Sequence, residues 1–314
     1  MRRAIVTGIT GHLGLELAIQ LVAADYTVHG LTRRSGTLPS RLKKRVQLHS
    51  LSDNTDTGAL NAIFCDVQPS VVFHLAALAR REHTSEDVTP FIQANILFGT
   101  QILEAMKSSN CTHLVTAGSY LQHFDTDGYR PFNLYAATKQ AFEDILTYYV
   151  DAIGFTAISL TLADIYSEHD VRSKLMTDIA KSARTGATLI LHAQEAWIDP
   201  IHVRDAAAAF IHAAALFESE VAPKGTLARY SVSSGRTVSA TDLINLFEKF
   251  GQRKLDVQRG GSKLGRHIKP WRGVSLPGWA PAITLSEGIE RMLVPTAQRP
   301  NTLDRRPDEG LTRA

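Results

Sequence analysis

The chain has 314 residues, of which 44% are hydrophobic and 21% charged, which excludes a disordered or fibrous protein and fits one or two joined globular domains. The formal net charge is only +3, and the basic clusters at 33–45 and 253–272 lack the interleaved aromatic residues of a nucleic-acid platform. No apolar run approaches the roughly 20 residues of a membrane span, and no signal peptide precedes the first strand, so we expect a cytoplasmic protein.

The cysteine content agrees with a reducing compartment. Cys65 and Cys111 are the two cysteines of the chain, and neither belongs to a CxxC pair or to a cluster with histidines. We therefore expect no disulfide framework and no metal site.

Strand and helix patterns alternate through the first half of the chain. Helix-length stretches separate strand patterns at 4–6, 26–32, 46–51, 70–76, 113–118 and 156–163. These strands are apolar on both faces, which is typical of a parallel sheet covered by helices on each side. The pattern predicts an α/β fold with a Rossmann-type doubly wound parallel sheet.

The alternation becomes less regular after Asp164. Helix patterns occupy 174–185, 204–217 and 239–250, and strand patterns occupy 188–192 and 230–234. We predict a main domain of residues 1–165 to which 198–220 returns, and a smaller C-terminal α/β domain of residues 166–197 and 221–295. Residues 296–314, QRPNTLDRRPDEG among them, are expected to form a mobile tail.

The turn TGITGHLG follows the first strand and opens the first helix. Glycines at positions 8, 11 and 14 would let backbone approach a pyrophosphate, which the free N–H groups of the helix N-terminus would then bind. A plain tight turn is the alternative, but the position within the first strand–turn–helix unit favours a dinucleotide site. The residues expected to contact the dinucleotide here are Gly8, Thr10, Gly11, His12, Leu13 and Gly14.

The end of the second strand predicts which dinucleotide binds. A site for NAD commonly has an acidic residue there, whereas GLTRRS has Arg33 and Arg34. Because guanidinium groups suit a 2′-phosphate, the sequence favours NADP, with two solvated loop arginines as the alternative.

Tyr135 and Lys139 stand four residues apart in LYAATKQAFEDI, so they lie on one face of a predicted helix. A phenol is a poor acid or base at neutral pH, and a nearby ammonium group would stabilise its ionised form. Taken alone, the spacing is also that of two ordinary surface residues.

Taken together, the motifs resemble the extended branch of the short-chain dehydrogenase/reductase superfamily, the NAD-dependent epimerase/dehydratase family. The resemblance extends to about residue 293 and rests on TGITGHLG, VVFHLAALA, NILFGT, TAGSYLQH, YAATK and DPIHVRDAAAAF. It implies that the main domain binds NADP and the smaller domain a substrate. It also implies a homodimer through the helices at about 92–107 and 134–152.

The resemblance also implies roles for individual residues. Tyr135 would be the catalytic acid/base, and Lys139 would bind the nicotinamide ribose and tune Tyr135. Ser119 would polarise the substrate carbonyl, with Thr116 as the alternative hydroxyl. Asn95 would support a proton relay, although a packed helix amide is the alternative. Further residues expected to line the cofactor site are Leu51, Ala76 and Ala77.

Departures from the family pattern narrow the reaction. The 4,6-dehydratases of this branch have an Asp-Glu pair directly after the strand-end hydroxyl, and this chain has none, which argues against dehydration. The arginine that commonly binds the diphosphate is Ile198 here. Other cations would have to bind the substrate phosphates, and the candidates are Arg172, Lys174, Arg266 and Arg272.

The motif TAGSYLQH and the C-terminal run look most similar to enzymes acting at C4 of nucleotide-linked 4-keto deoxysugars, such as CDP-abequose and CDP-paratose synthases. The resemblance therefore predicts an NADPH-dependent 4-ketoreductase of a nucleotide sugar. Two alternatives stay open: a C4 epimerase with bound NAD(P), and a non-catalytic dinucleotide sensor.

Overall fold

The computed structural model describes residues 2–33, 38–51, 57–219, 221–260 and 270–294. Its strands are β1 (Arg3–Thr7), β2 (Thr27–Thr32), β3 (Val46–Ser50), β4 (Val71–His74), β5 (His113–Ser119), β6 (Thr156–Leu162), β7 (Asp164–Tyr166), β8 (Leu189–Leu191), β9 (Trp197–Ile198), β10 (Pro200–His202), β11 (Leu227–Val232), β12 (Val238–Ser239) and β13 (Val257–Arg259). Its α-helices are α1 (His12–Ala23), α2 (Ser40–Lys43), α3 (Thr57–Val67), α4 (Val88–Ile92), α5 (Phe98–Ser108), α6 (Leu134–Ile153), α7 (Leu175–Thr185), α8 (Val203–Leu216), α9 (Ala240–Gly251) and α10 (Leu285–Leu293).

The main sheet confirms the predicted fold class. Within the described residues, seven strands pair in the order β11-β6-β5-β4-β1-β2-β3, and every neighbouring pair is parallel. The chain winds outward from β1 in both directions, so the strand order reverses between β1 and β4. In a doubly wound sheet, ligands bind in the crevice that this reversal opens at the carboxyl ends of the strands.

Helices cover both faces of this sheet. One apolar core joins the sheet to α1 and α8, and it includes Leu17, Leu21 and Phe210. The opposite core joins the sheet to α3, α5 and α6, and it includes Phe64 and Phe142. The helix α8 packs on the same face of the main sheet as α1.

The prediction for residues 221–295 needs a correction at β11. That strand was assigned to the smaller domain, but it pairs with β6 from Leu227↔Ala157 to Val232↔Leu162 and forms an edge of the main sheet. An edge strand is partly solvated, so β11 lacks the continuous apolar pattern of the inner strands. The predicted mobile tail, residues 296–314, lies outside the described residues.

The smaller part of the molecule has its own apolar core. It is formed by α7, α9 and α10 and includes Met176, Phe247 and Ile289. Short strand pairs accompany it: β7 with β10, β8 with β13, and β9 with β12. In the part of the chain that the structure describes, no helix combines the length and apolarity needed to span a membrane.

Candidate active site

Close backbone packing requires glycine in the turn between β1 and α1. Gly8 has a φ of 68°, and a Cβ added to it would lie 2.8 Å from the backbone nitrogen of Ala76. A Cβ on Gly14 would lie 2.1 Å from the carbonyl oxygen of Gly8. Such distances leave no room for a side chain, so these glycines keep the first turn of α1 against the end of β4.

Thr7, which the sequence analysis did not select, holds the same two strand ends together. Its hydroxyl oxygen accepts hydrogen bonds from the backbone N–H groups of Leu75 at 3.1 Å and Ala76 at 3.0 Å. The same hydroxyl lies 2.9 Å from Nδ1 of the buried His74. Since both amides are bound to Thr7, the segment after β4 lies directly beside the glycine turn.

A cleft opens above this turn at the strand-order reversal. Its walls include predicted cofactor residues, namely Gly8, Thr10, Gly11, Arg33, Leu51, Ala76 and Ala77. The other predicted contacts, His12, Leu13 and Gly14, form the first turn of α1, which begins at this cleft. Leu31, Thr32, Leu75 and Phe98 also line the cleft and were not predicted. The absence of side chains at the glycine turn leaves a cradle of backbone that fits a dinucleotide.

Arg33 directly follows β2 and is exposed at the edge of this cleft. That position is where the ribose of an adenine nucleotide is recognised in this type of fold. Arg34 lies outside the described residues. The fit of the cleft supports a nicotinamide dinucleotide, while the choice of the phosphorylated form stays a prediction.

Tyr135 lies near Ser119 at the carboxyl end of the sheet, close enough for the Ser119 side chain to act on the pKa of the phenol. Tyr135 lies in the first turn of α6, which is capped by the Asn133 side chain accepting from the N–H of Ala136 at 2.9 Å. Burial raises the pKa of Tyr135 to about 12, although a hydrogen bond from Ser119 and the positive charge of Arg172 both act to lower it. The phenol therefore holds its proton in this state and is a proton donor.

Thr116, the alternative hydroxyl, is buried within the sheet. It is 2% exposed, and its hydroxyl lies 3.4 Å from the carbonyl oxygen of His74 within the sheet. Thr116 lies on the same face of β5 as Leu114, and its partner on β6, Ser159, binds Glu143 on α6. Ser119 is favoured as the polarising hydroxyl because its side chain acts on the pKa of Tyr135, and the choice between the two stays a prediction.

Two glutamines hold Ser119 in place, and the sequence analysis missed both. The Ser119 N–H donates to Oε1 of Gln122 at 2.8 Å, and Nε2 of Gln122 donates to Oε1 of Gln140 on α6 at 3.0 Å. The Ser119 hydroxyl oxygen also accepts from the N–H of Leu121 at 3.3 Å. The spacing Ser-x-x-Gln is a capping-box signal that could have identified Gln122.

Lys139 lies one turn after Tyr135 on α6 and is 4% exposed. Burial lowers the pKa of Lys139 to about 8, and the negative charge of Glu143 partly opposes this shift. Burial lowers the pKa of His74 to about 3, and the positive charge of Lys139 adds to this effect. The two side chains are therefore close to each other. The cation with a resolved effect on the pKa of Tyr135 is Arg172, so the predicted tuning by Lys139 stays a prediction.

Asn95 lies in a π-helical turn, Gln93–Leu97, between α4 and α5. Its amide nitrogen donates to the carbonyl of Leu78 at 3.0 Å and to the hydroxyl of Thr138 at 2.8 Å. Its amide oxygen accepts from the N–H of Leu78 at 2.7 Å. The hydroxyl of Thr138 in turn donates a hydrogen bond to the carbonyl oxygen of Tyr135 at 2.8 Å. Asn95 therefore braces the segment after β4 against α6, and its role in a proton relay stays a prediction.

The predicted phosphate-binding cations divide into two groups. Arg172 donates to both carboxylate oxygens of Asp170, at 2.7 and 2.6 Å. Asp170 also lies 3.8 Å from Nε2 of His12 at the start of α1. Lys174 lies near Arg172, whose charge adds to burial in lowering the pKa of Lys174. These residues join the glycine turn to the segment after β7.

Arg272 belongs to a different part of the molecule. Its guanidinium donates to the hydroxyl of Thr237 at 3.2 Å. It follows Trp271, whose ring stacks on His123 with a centroid separation of 3.8 Å. Arg266 lies outside the described residues. Of the four predicted substrate cations, the structure therefore brings Arg172 and Lys174 together.

A buried acidic pair beside Ser119 was not predicted. The hydroxyl of Tyr120 donates to Asp164 at 3.1 Å, and burial raises the pKa of Asp164 to about 6. Asp199 is fully buried and accepts from the N–H of Ser234 at 2.9 Å. Among the described residues, no group of three or more His, Cys, Asp or Glu side chains could hold a metal ion.

The doubly wound sheet, the glycine cradle and the helix carrying Tyr135 and Lys139 define a dinucleotide-binding protein of the short-chain dehydrogenase/reductase type. The chain belongs to the NAD dependent epimerase/dehydratase family, whose model matches residues 4–228.

Curated relatives include sugar-nucleotide enzymes. Protein CapI of Staphylococcus aureus is 26% identical over 187 residues, which cover 52% of this chain and 54% of that protein. The chain thus spans about half the length of CapI. UDP-glucose 4-epimerase 4 of Oryza sativa subsp. japonica is 24% identical over 303 residues, which cover 84% of this chain and 80% of the relative.

Solved structures share the whole fold. MoeE5 in complex with UDP-glucose and NAD has a TM-score of 0.80 at 20% identity and covers 93% of this chain and 97% of its own. The UDP-glucose 4-epimerase of Thermus thermophilus in complex with NAD has a TM-score of 0.77 at 25% identity, with the same coverage. The chain is therefore similar to nucleotide-sugar epimerases along nearly all of its length.

Proposed function

We propose that the protein reduces the 4-keto group of a nucleotide-activated deoxysugar with NADPH. The observation that carries this proposal is the neighbouring position of Tyr135 and Ser119 at the carboxyl end of the sheet that also forms the dinucleotide cleft, with Arg33 at the edge of that cleft. The pair supplies a proton donor and a hydroxyl for a developing oxyanion. Arg33 supplies a cation where a 2′-phosphate would lie.

The chemistry follows from the protonation of Tyr135. The dinucleotide, when bound in the cleft, supplies the hydride. The Ser119 hydroxyl, held through Gln122 and Gln140, would donate to the substrate carbonyl oxygen and stabilise charge developing there. Tyr135 would then transfer its proton to the alkoxide. Because burial raises the pKa of Tyr135, the phenol is protonated in this state, which is the form that reduction requires.

The residues after Ser119 support reduction over dehydration. Tyr120 occupies the position at which a dehydratase would need a carboxylate, and its hydroxyl is bound to Asp164. Asp164 in turn accepts from the N–H of Asp199 at 3.3 Å. An acid committed to structural hydrogen bonds is poorly placed to remove a proton from the sugar.

A nucleotide-sugar C4 epimerase is the second candidate, and the relatives favour it. UDP-glucose 4-epimerases are similar to this chain over most of their length, and two of the similar structures hold NAD. Epimerisation would use Tyr135 and Ser119 in both directions, with no net use of the dinucleotide. A non-catalytic dinucleotide sensor is less favoured, because it needs neither Tyr135 nor Lys139.

We further propose a homodimer through the helices at 92–107 and 134–152. Large apolar side chains are exposed on these helices and just before them, at Val88 (41%), Ile92 (42%), Leu97 (39%) and Tyr148 (61%). Exposed apolar residues on adjacent helices commonly mark an interface. Sedimentation would give a dimer mass, and a monomer at micromolar concentration would contradict this proposal.

The decisive experiment incubates the protein with NADPH and a panel of nucleotide-linked 4-keto-6-deoxysugars, following absorbance and products. Steady loss of NADPH with formation of the 4-hydroxy sugar is the expected result. Product formed with only catalytic dinucleotide would establish the epimerase instead.

Tyr135→Phe tests the chemistry, and we expect it to lower kcat by about 10²–10⁴-fold, the usual contribution of a general acid. Tyr148→Phe is the matched control, because Tyr148 is an exposed tyrosine on the same helix. Undiminished turnover in Tyr135→Phe would overturn the assignment.

A further inference from the structure

A second buried charge lies beneath Lys139 on α6. Glu143 is one turn further along the helix and is 6% exposed. Tyr135, Lys139 and Glu143 follow each other at intervals of four residues, so they occupy one stripe of the helix. Glu143 is the member of this stripe furthest from the start of α6, and its carboxylate lies against strands β6 and β11.

The carboxylate of Glu143 is held from two neighbouring strands. The hydroxyl of Ser159 on β6 donates to its Oε2 at 3.0 Å. Nε of Arg229 on β11 donates to its Oε1 in an ion pair. The Arg229 side chain is 52% exposed, whereas that of Glu143 is 8% exposed. The Glu143 carboxylate is therefore ion-paired with a solvated guanidinium, and its negative charge also acts on the buried ammonium group of Lys139.

A buried ammonium group is unstable unless an opposite charge lies near it. Among the residues that the structure describes, the charged and titratable groups near Lys139 are Tyr135 and Glu143 on its own helix and His74 on β4. Tyr135 and His74 are uncharged, the first because burial raises its pKa and the second because burial lowers its pKa. Glu143 is thus the anion that acts on Lys139, and its negative charge raises the pKa of the lysine.

We propose that Glu143 is a positioning residue that keeps Lys139 protonated at neutral pH, and that Arg229 limits this effect by sharing the carboxylate. This inference rests on the proposed function in one respect, since Lys139 is taken to bind the dinucleotide. A simpler role for Glu143, tying α6 to the sheet, would explain its hydrogen bonds but not a dependence of the Lys139 charge on it.

The first test needs no cofactor. The pKa of Lys139 is about 8 in the folded protein, against 10.5 for an ordinary lysine. Its contribution to the free energy of unfolding is therefore fully present above pH 10.5 and is lost as the pH falls through about 8. Urea unfolding of the full chain between pH 6.5 and 10 would follow this transition. We expect its midpoint to move down by about one pH unit in Glu143→Gln and up by a smaller amount in Arg229→Gln.

The second test measures binding of NADPH, and separately of NADH, by nicotinamide fluorescence over the same pH range. If the charged lysine binds the ribose, a fall in pKa of one unit weakens binding at pH 8 by about fivefold. Arg229→Gln should instead tighten binding at pH 9 by about twofold. Asp144→Asn is the control, since Asp144 is the exposed neighbour of Glu143 and binds Gln140.

The proposal would be supported if the pH midpoint moved down in Glu143→Gln, moved up in Arg229→Gln and did not move in Asp144→Asn. A loss of stability that is constant across the pH range would overturn it, because that is the result of a tying role alone. If Glu143→Gln does not fold, the shift in Arg229→Gln still decides. A wild-type protein that binds neither dinucleotide would refute the proposed function, while the unfolding transition would still test Glu143.

Discussion

The dinucleotide cleft differs in construction from the charged residues on β7, on β10 and in the segment after β7, which are called the rim here. The cleft is bounded by backbone and small residues, with Gly8 and Gly14 in contacts that exclude any side chain. The rim is formed by charged residues that bind one another, such as Arg172 with Asp170, and Glu168 with His202 at 3.0 Å. Sterics fix the first region, and electrostatics fix the second.

This difference separates a site that can bind any dinucleotide from a site that can select one substrate. A cradle of backbone N–H groups binds any pyrophosphate, so it needs little adaptation to its ligand. Ion pairs on a rim can be exchanged for contacts with a substrate, and each exchange depends on the substituents of that substrate. We therefore expect changes in the cleft to abolish binding and changes at the rim to alter stability, pH dependence and selectivity.

Gly14→Ala should have the largest effect. Its new methyl group would meet the carbonyl oxygen of Gly8 at 2.1 Å, a backbone atom that cannot move without opening the turn. We expect a loss of about 3 kcal/mol or more in the free energy of unfolding, and loss of dinucleotide binding. Gly251→Ala at the end of α9, where the nearest atom is a Leu293 side-chain carbon at 3.5 Å, is the control and should be nearly neutral. Equal behaviour of the two variants in urea unfolding would contradict the steric account.

Acidification should have opposite effects on the stability contributed by His74, beside the cleft, and by Asp164, on the rim. Burial and Lys139 lower the pKa of His74 to about 3, so the stabilisation from His74 is present above 6.5 and is lost as the pH falls towards 3. Burial raises the pKa of Asp164 to about 6, so its stabilisation is present below 3.8 and is lost as the pH rises through 6. Each group contributes at most about 1.4 kcal/mol per pH unit within its window.

Asp164→Asn separates the two contributions. It removes the group that gains stability on acidification, so the variant should lose more stability than the wild type between pH 7 and pH 4. Urea unfolding at pH 7, 5.5 and 4 measures this. Parallel curves for the two proteins would show that Asp164 does not titrate in this window.

Asp199→Asn should cost about 2 kcal/mol of unfolding free energy. Asp199 is fully buried between β9 and β10, and one of its oxygens accepts from both the N–H and the hydroxyl of Ser234, at 2.9 and 2.5 Å. The hydroxyl of Ser233 donates to the other oxygen, where an amide nitrogen could not accept. Asp151→Asn, at an exposed position on α6, should stay within about 0.5 kcal/mol of the wild type in the same unfolding assay.

Arg33→Ala should have the smallest effect on stability and a selective effect on binding. If Arg33 binds a 2′-phosphate, its removal should weaken NADPH binding about tenfold, or about 1.4 kcal/mol, and leave NADH binding unchanged. Arg45→Ala, an exposed arginine directly before β3, is the control. Equal weakening of both dinucleotides would mean that Arg33 does not distinguish them.

Most of the residues predicted to contact the dinucleotide lie at one cleft because the determinants of that prediction are local. The glycines of TGITGHLG are neighbours in the chain, and the spacing of Tyr135 and Lys139 follows from helix geometry. Their surroundings require long-range contacts that no local pattern reveals. The ion pair of Glu143 with Arg229 joins positions 86 residues apart, and the hydrogen bond of Tyr120 with Asp164 joins positions 44 apart.

The choice between the two candidate hydroxyls, Ser119 and Thr116, stays a prediction. Both Thr116 and Ser119 have the right chemistry, and the choice depends on where β5 ends and which face each residue presents. The edge strand β11 was placed in the wrong part of the molecule for a related reason. Partial solvation gave it a mixed pattern, and its register with β6 is a property of the folded sheet.

The π-helical turn at Asn95 has a consequence for insertions and deletions. A π-turn is equivalent to an α-helix with one extra residue, so deleting one residue between 93 and 97 would give a more regular helix with stronger local hydrogen bonds. That helix would rotate Asn95 away from Leu78 and Thr138. The more regular form of this segment would thus leave α6 without its brace, and we expect a deletion within residues 93–97 to destabilise the protein.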